Sequence, residues 1–499
     1  MGMQFNSPQF LIFFPIVLVL YYVLPIKLRT VWLLVASYYF YMSWNPKYSV
    51  LIGASTLITY ICGILIEKYR LAGLKRRMKY VVTAGIISNL AILALFKYAD
   101  FILNSMDRAA VFFNRGHIDF RFGFLLPVGI SFYTFQALGY IIDVYRGETD
   151  AERNFIRYAL FVSFFPQLVA GPIERSGNLL VQIRSIEKTE RLWTYESILR
   201  GLCLMIYGFF VKVVLADRLG IIVDKVFDGC DAYGTLMLIL GAAAFSFQIY
   251  CDFFGYSLIA MGAARMMGIK LMENFNAPYF SENVREFWNR WHISLSGWLK
   301  EYVYFPLGGS RCPRARNYLN LMITFLVSGI WHGAGWKYIF WGGIHGVFQI
   351  LSRMWAGFRG RALKAGDGNG GTFAGRLLRR LLTFCMVTFA WIFFRADSLK
   401  HAFHYLSRIF CCPDSGYFRT EEFHAVFESA REPVILIVGL VILLFVDLIR
   451  KKGRLIDDFL TEHGMLLRVS VLLGLVFMIV RFGAYGDDIY SQPFIYFQF

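Results

Sequence analysis

The sequence predicts an all-α multipass membrane protein, with roughly 11–12 transmembrane helices and a few re-entrant or interfacial helices among them. Three observations predict it. Apolar residues make up 57% of the 499 and charged residues 17%, against about 45–50% and about 25% in a soluble domain. Aromatic residues reach 18%, more apolar surface than a water-soluble globule can hide. The apolar residues also gather in long unbroken stretches, not in the short alternating strands of a membrane barrel.

The first stretch, 8–25, lacks a basic leader and an Ala-x-Ala cleavage site, so it reads as a retained span rather than a signal peptide. Further spans are expected near 31–45, 48–66, 81–97 and 125–145. The run 155–172 is apolar but interrupted by Pro166 and Gly171-Pro172, which suits a re-entrant or interfacial segment. Spans then follow near 196–216, 235–262, 317–333, 336–356, 381–396, 433–450 and 465–483. No internal repeat stands out, so 1–499 reads as one membrane domain with a catalytic core over about 125–345.

Orientation follows from the basic loops. Lys27 and Arg29, the cluster Lys68, Arg70, Lys75, Arg76, Arg77 and Lys79, the loop 359–380, and Arg450 to Arg454 all fall on one side of this span order. That side is the cytoplasm, which leaves both termini and the loop 397–432 outside. The net charge of +17 is accounted for in the same way, and no separate basic domain offers a nucleic-acid partner. The Gly-rich stretch 366–371 reads as a flexible linker, since no Lys-Ser or Lys-Thr follows it as a phosphate loop would require. The eight cysteines show no metal-ligand spacing, and no metal is expected; the adjacent Cys411-Cys412 has no account.

Polar residues interrupt membrane-like sequence most often between 245 and 345. Asp252 lies inside an apolar span, where a carboxylate is expensive unless paired or functional, and Arg265 is a candidate partner. The segment 287–304 reads as one amphipathic helix. Trp288, Trp291, Leu295, Trp298, Leu299 and Tyr302 share its apolar arc, with Arg285, Asn289, His292 and Ser296 along the flank. From Asn317 to Trp331 there are only 15 residues, about 22 Å of helix against a hydrocarbon core of about 30 Å. The span therefore breaks early, at Trp331-His332-Gly333-Ala334-Gly335-Trp336, with two glycines to bend it. Irregular backbone at that depth needs protein or water around it, so His332 is expected at the floor of a membrane-embedded cavity open to the outside. Imidazole there titrates in the range useful for moving protons.

These residues resemble the membrane-bound O-acyltransferase superfamily, in its bacterial alginate O-acetylation branch. The likeness rests on long blocks in the expected order: LPVGISFYTFQALGYIIDVYRG from Leu126, FFPQLVAGPIER from Phe164, FWNRWHISLSGWLKEYVYFPLGG, SGIWHGAGW, FAWIFFRADSL from Phe389 and the terminal PFIYFQF. The resemblance implies an O-acyltransferase of acetyl type that uses a thioester co-substrate such as acetyl-CoA or an acyl carrier protein and no tightly bound cofactor. It implies catalysis by a membrane-embedded His332 with His292 as the second histidine. Asn289, Ser296 and Asp252 would serve the donor pocket, and Trp331 and Trp336 would wall it from water. Tyr496 could relay the acyl group to an extracytoplasmic esterase-fold (SGNH-type) partner acting on a polysaccharide, from a bacterial cytoplasmic membrane. Two other readings remain open from the residues alone. A solute transporter would use Asp143, Asp252, Arg265 and His332 as its pathway, and a structural component of a secretion complex would need neither histidine.

Overall fold

The computed structural model describes residues 2–117, 120–124, 126–169, 171–188, 194–363, 372–411, 420–427, 429, 431–485 and 494–495. Every regular element among them is helical. Among the described residues, seven helical stretches are long and apolar enough to cross a membrane: Tyr48–Leu71, Lys75–Phe112, Tyr195–Asp228, Thr235–Met266, Phe373–Arg395, Glu432–Lys451 and Met465–Phe482. Each coincides with a span expected from sequence. The other five expected spans also fall on helices, but on shorter or more polar ones: Pro8–Val23, Ile26–Met42, Ile130–Arg146, Arg314–His332 and Trp336–Leu363. Ile130–Arg146 shows why. Fourteen of its 17 residues are buried by protein, among them Ser131, Thr134, Gln136 and Asp143, so its surroundings do not demand an apolar surface. The expected re-entrant segment is two short helices, Phe155–Ser163 and Phe165–Leu168, broken at Phe164 just before Pro166.

The chain forms two compact parts, Met1–Met205 with Ser257–Met272, and Ile206–Tyr256 with Glu273–Phe499. Several buried polar groups in the first part are paired, as burial favours. Tyr158 donates to Thr59 at 2.7 Å, Ser176 donates to Asp143 at 2.7 Å, and the Met272 amide donates to Glu174 at 2.6 Å.

The second part holds both histidines of interest. Helices Arg314–His332 and Trp336–Leu363 form a hairpin that closes to backbone contact because glycines face each other across it. A Cβ on Gly329 would lie 2.3 Å from the Tyr338 carbonyl oxygen, and one on Gly342 would lie 2.4 Å from that of Phe325. Against the hairpin packs a layer of large rings. Trp341 lies 5.5 Å from Trp391, and Trp391 lies 5.1 Å from Trp291.

Candidate active site

His332 is the last residue of helix Arg314–His332, and the next helix starts at Trp336. The expected break is therefore present. The glycines do not bend it through left-handed backbone, however, because Gly333 is extended, with φ −167°, and Gly335 is not among the positive-φ glycines. Gly333 is required by proximity: a Cβ there would sit 2.2 Å from the Tyr338 ring. The His332 side chain is buried, with ring centroids of Trp331, Trp341 and Phe394 at 4.9, 5.0 and 5.5 Å.

His292 corrects the expectation of one continuous amphipathic helix over 287–304. The segment is two helices, Val284–Arg290 and Ile293–Leu299, continued by a wider turn over Lys300–Tyr304. Between them His292 takes left-handed backbone, φ 43° and ψ 54°, a conformation that costs a non-glycine residue about 1–2 kcal/mol. The hydrophobic periodicity concealed the break because the apolar arc of both helices faces the same core: Trp288, Trp291, Leu295, Trp298 and Leu299 are all buried. A neighbouring strand of irregular chain holds the break open. The Ile293 amide donates to the Asn274 carbonyl at 2.9 Å and Ser294 donates to the Asn274 side chain at 2.6 Å. The break turns the His292 ring toward His332, with centroids 6.3 Å apart, and toward Trp331 and Phe253 at 5.7 and 4.6 Å.

An open cavity of about 150 Å³ has Asn289, Ser296, Ser328, Thr324 and Leu321 in its wall but neither histidine, so His332 is buried among rings and does not form the floor of this cavity, contrary to the expectation from sequence. Its lining reaches Ser296, one helical turn after His292, and Ser328, one turn before His332. Three cations, Arg285, Lys300 and Arg353, also line it. Arg285 and Lys300 are exposed, while Arg353 is tied to Tyr304 at 3.2 Å and to the Asn317 side chain. Trp288, another wall residue, donates its indole N–H to His345 Nδ1 at 3.2 Å, which gives the fully buried His345 a packing role.

Asn289 and Ser296 both line this cavity, and Trp331 is buried against both imidazoles. Trp336 is half exposed at the start of its helix. Asp252 does not line the cavity. It pairs with Lys212 at 2.6 Å, not with Arg265, and Lys212 also donates to Asp217 at 2.7 Å. Lys212 went unread in the sequence, although a lone lysine inside the apolar run from Phe209 to Ala216 is the same signal that singled out Asp252. Arg353 was missed too, although it lies inside the span expected at 336–356, where a lone arginine is the same signal. Tyr496, Cys412 and the stretch 366–371 lie outside the described residues.

Fold and sequence blocks together define a multipass membrane protein with a buried histidine pair, His292 and His332, and an open cavity lined in part by three cations. The chain belongs to the membrane-bound O-acyltransferase family, whose model matches residues 148–363 and so spans both histidines. It is similar to the "Probable alginate O-acetylase AlgI" of Azotobacter vinelandii, 40% identical over 419 residues, covering 83% of this chain and 79% of the relative. The protein of the same name from Pseudomonas putida is 36% identical over the full length of both. A "Peptidoglycan O-acetyltransferase" of Helicobacter pylori is 34% identical, over 80% of this chain and 78% of its own length. The chain is an O-acyltransferase, and this sets aside the transporter and scaffold readings.

Proposed function

We propose that the enzyme takes an acyl group, of acetyl type, from a cytoplasmic thioester and delivers it across the bacterial cytoplasmic membrane for O-acylation of an extracytoplasmic polysaccharide. The observation that supports this reading is a cavity lined by Arg285, Lys300 and Arg353 together with Ser296 and Ser328, which stand one helical turn in sequence from His292 and His332. Cations in its lining suit the phosphate borne by acetyl-CoA and by the prosthetic arm of an acyl carrier protein alike. The neutral thioester end would pass inward along Asn289, Ser296 and Ser328. His332 acts as general base: it takes the proton of the acceptor hydroxyl as the oxygen attacks the thioester carbonyl. The C–S bond breaks, and the departing thiolate takes the proton back. Such proton transfer is worth about 10²–10⁴-fold in rate. His292 assists by orienting the donor, and the rings of Trp331, Trp341 and Phe394 keep water from the thioester. No tightly bound cofactor is needed for these steps.

The acceptor reading draws on relatives named for alginate and peptidoglycan O-acetylation. In this reading both termini face outward, Tyr496 receives the acyl group on its phenol, and an esterase-fold partner outside the membrane passes it to the polymer. The test is His332→Ala in the purified chain supplied with acetyl-CoA or an acylated carrier protein. Thioester consumption should fall by at least about a hundredfold while the melting temperature in detergent stays near that of the unsubstituted protein. Turnover within a few-fold of the parent would remove His332 from the chemistry.

A further inference from the structure

We propose that Asp252 is a positioning residue that clamps the segment Phe494–Ile495 against the helix whose Phe253 packs on His292, and that acyl relay depends on this clamp. This rests on the relay reading above. Both oxygens of Asp252 are used. Oδ1 accepts from Lys212 Nζ at 2.6 Å, and Oδ2 accepts from the Ile495 backbone amide at 2.7 Å. Lys212 is shared with Asp217, so two carboxylates bracket one ammonium, all three of them buried. Burying three charges is no economical way to stabilise a fold, since an apolar set of the same volume does at least as well. What the cluster holds is a main-chain N–H in an irregular segment, which would otherwise be left without an acceptor in an apolar interior.

The next residues of the same helix complete the grip. Phe494 is fully buried and stacks on Tyr256 at 4.5 Å, and it lies 5.8 Å from Phe253. Phe253 meets the His292 ring edge-on at 4.6 Å. Asp252, Phe253 and Tyr256 therefore hold the segment by its backbone and its ring, and Phe253 also touches the His292 imidazole. The clamp reads no side chain at 495, so it fixes where the chain passes, and Tyr496 follows Ile495 directly in the sequence.

Ile495→Pro removes the N–H and leaves Asp252, Lys212 and Asp217 intact. Asp252→Ala removes the acceptor and leaves Lys212 paired with Asp217. Hydrogen exchange by mass spectrometry on the full-length detergent-solubilised chain should show the buried Phe494 amide exchanging at least about tenfold faster in both variants. The rate of acyl transfer to acceptor should fall by a similar factor, with KM for the thioester unchanged, a split that general misfolding would not produce. Unchanged exchange in Ile495→Pro overturns the clamp even if Asp252→Ala fails to fold. Tyr496→Phe separates the two ideas. Full transfer by that variant, together with faster exchange in Ile495→Pro, ends the relay reading and leaves the clamp standing as an anchor. Loss of transfer in Tyr496→Phe with unchanged exchange in Ile495→Pro leaves the relay and ends the clamp.

Discussion

Gly342 and Gly343 are neighbours on one helix, and alanine should have opposite effects at the two. A Cβ at Gly342 would stand 2.4 Å from the Phe325 carbonyl oxygen and 3.2 Å from Gly329 Cα, about 1 Å short of an ordinary contact. Neither neighbour is a side-chain tip that can rotate away, so the two helices must separate. A Cβ at Gly343 would meet only the Leu326 methyl, at 3.9 Å. Both substitutions gain the same helix-propensity advantage, up to about 1 kcal/mol, so the difference between them isolates packing. Overpacking of this kind costs about 1–3 kcal/mol. Because Trp341, next to Gly342, packs on the His332 ring at 5.0 Å, the separation also moves the imidazole against its surroundings, and about 1 Å of misplacement can cost a hundredfold in rate. Gly342→Ala should therefore melt below Gly343→Ala and consume thioester between ten and a hundred times more slowly, with Gly343→Ala within about twofold of the parent. The assay is thioester turnover beside thermal unfolding in the same detergent. Equal stability and equal rates in the two variants would refute the close-packed hairpin as the support of His332.

Three further outcomes follow. His292→Asn should lose activity without losing stability, because asparagine tolerates left-handed backbone, whereas His292→Val should also lower the unfolding free energy by about 1–2 kcal/mol; equal melting of the two would contradict the strained geometry. Arg285→Ala and Lys300→Ala should each raise KM for a phosphate-bearing thioester several-fold with little change in kcat, and the effect should shrink in high salt because both cations are exposed; steady-state kinetics at two ionic strengths decide it. Trp288→Phe should cost about 1–3 kcal/mol by leaving the buried His345 Nδ1 without its donor, read as a drop in melting temperature.

The sequence carried the helical membrane class and the break after His332 because both depend on local quantities, the length of an apolar run and a cluster of small residues within it. It also placed Asn289 and Ser296 on a polar flank that the structure turns into a cavity wall. It missed the turn at His292, since the two helices bury the same face and the period of the pattern barely shifts; the irregular chain at Asn274 that holds the turn is 18 residues away. The partner of Asp252 was misjudged for a similar reason. Arg265 is near in sequence, but Lys212, 40 residues earlier, reaches the carboxylate, and pairing between helices is not written in any one of them. Spans such as Ile130–Arg146 were legible as helices but not as protein-lined ones, because hydropathy reports composition rather than neighbours.

The joint at His292 has a consequence for how such an enzyme can diversify. Arg285 and Asn289 belong to one short rod, Ser296 and Lys300 to another, and no continuous ladder of hydrogen bonds runs between them. Each rod is moored independently: the first through the Arg290 carbonyl to the Asn276 amide, the second through Ile293 and Ser294 to Asn274. Enlarging or trimming a wall residue on either rod therefore reshapes the cavity while leaving the hydrogen bonds that set the turn at His292 in place. Under the proposed function, the size of the transferred group and the chemistry at the imidazole are then separately adjustable.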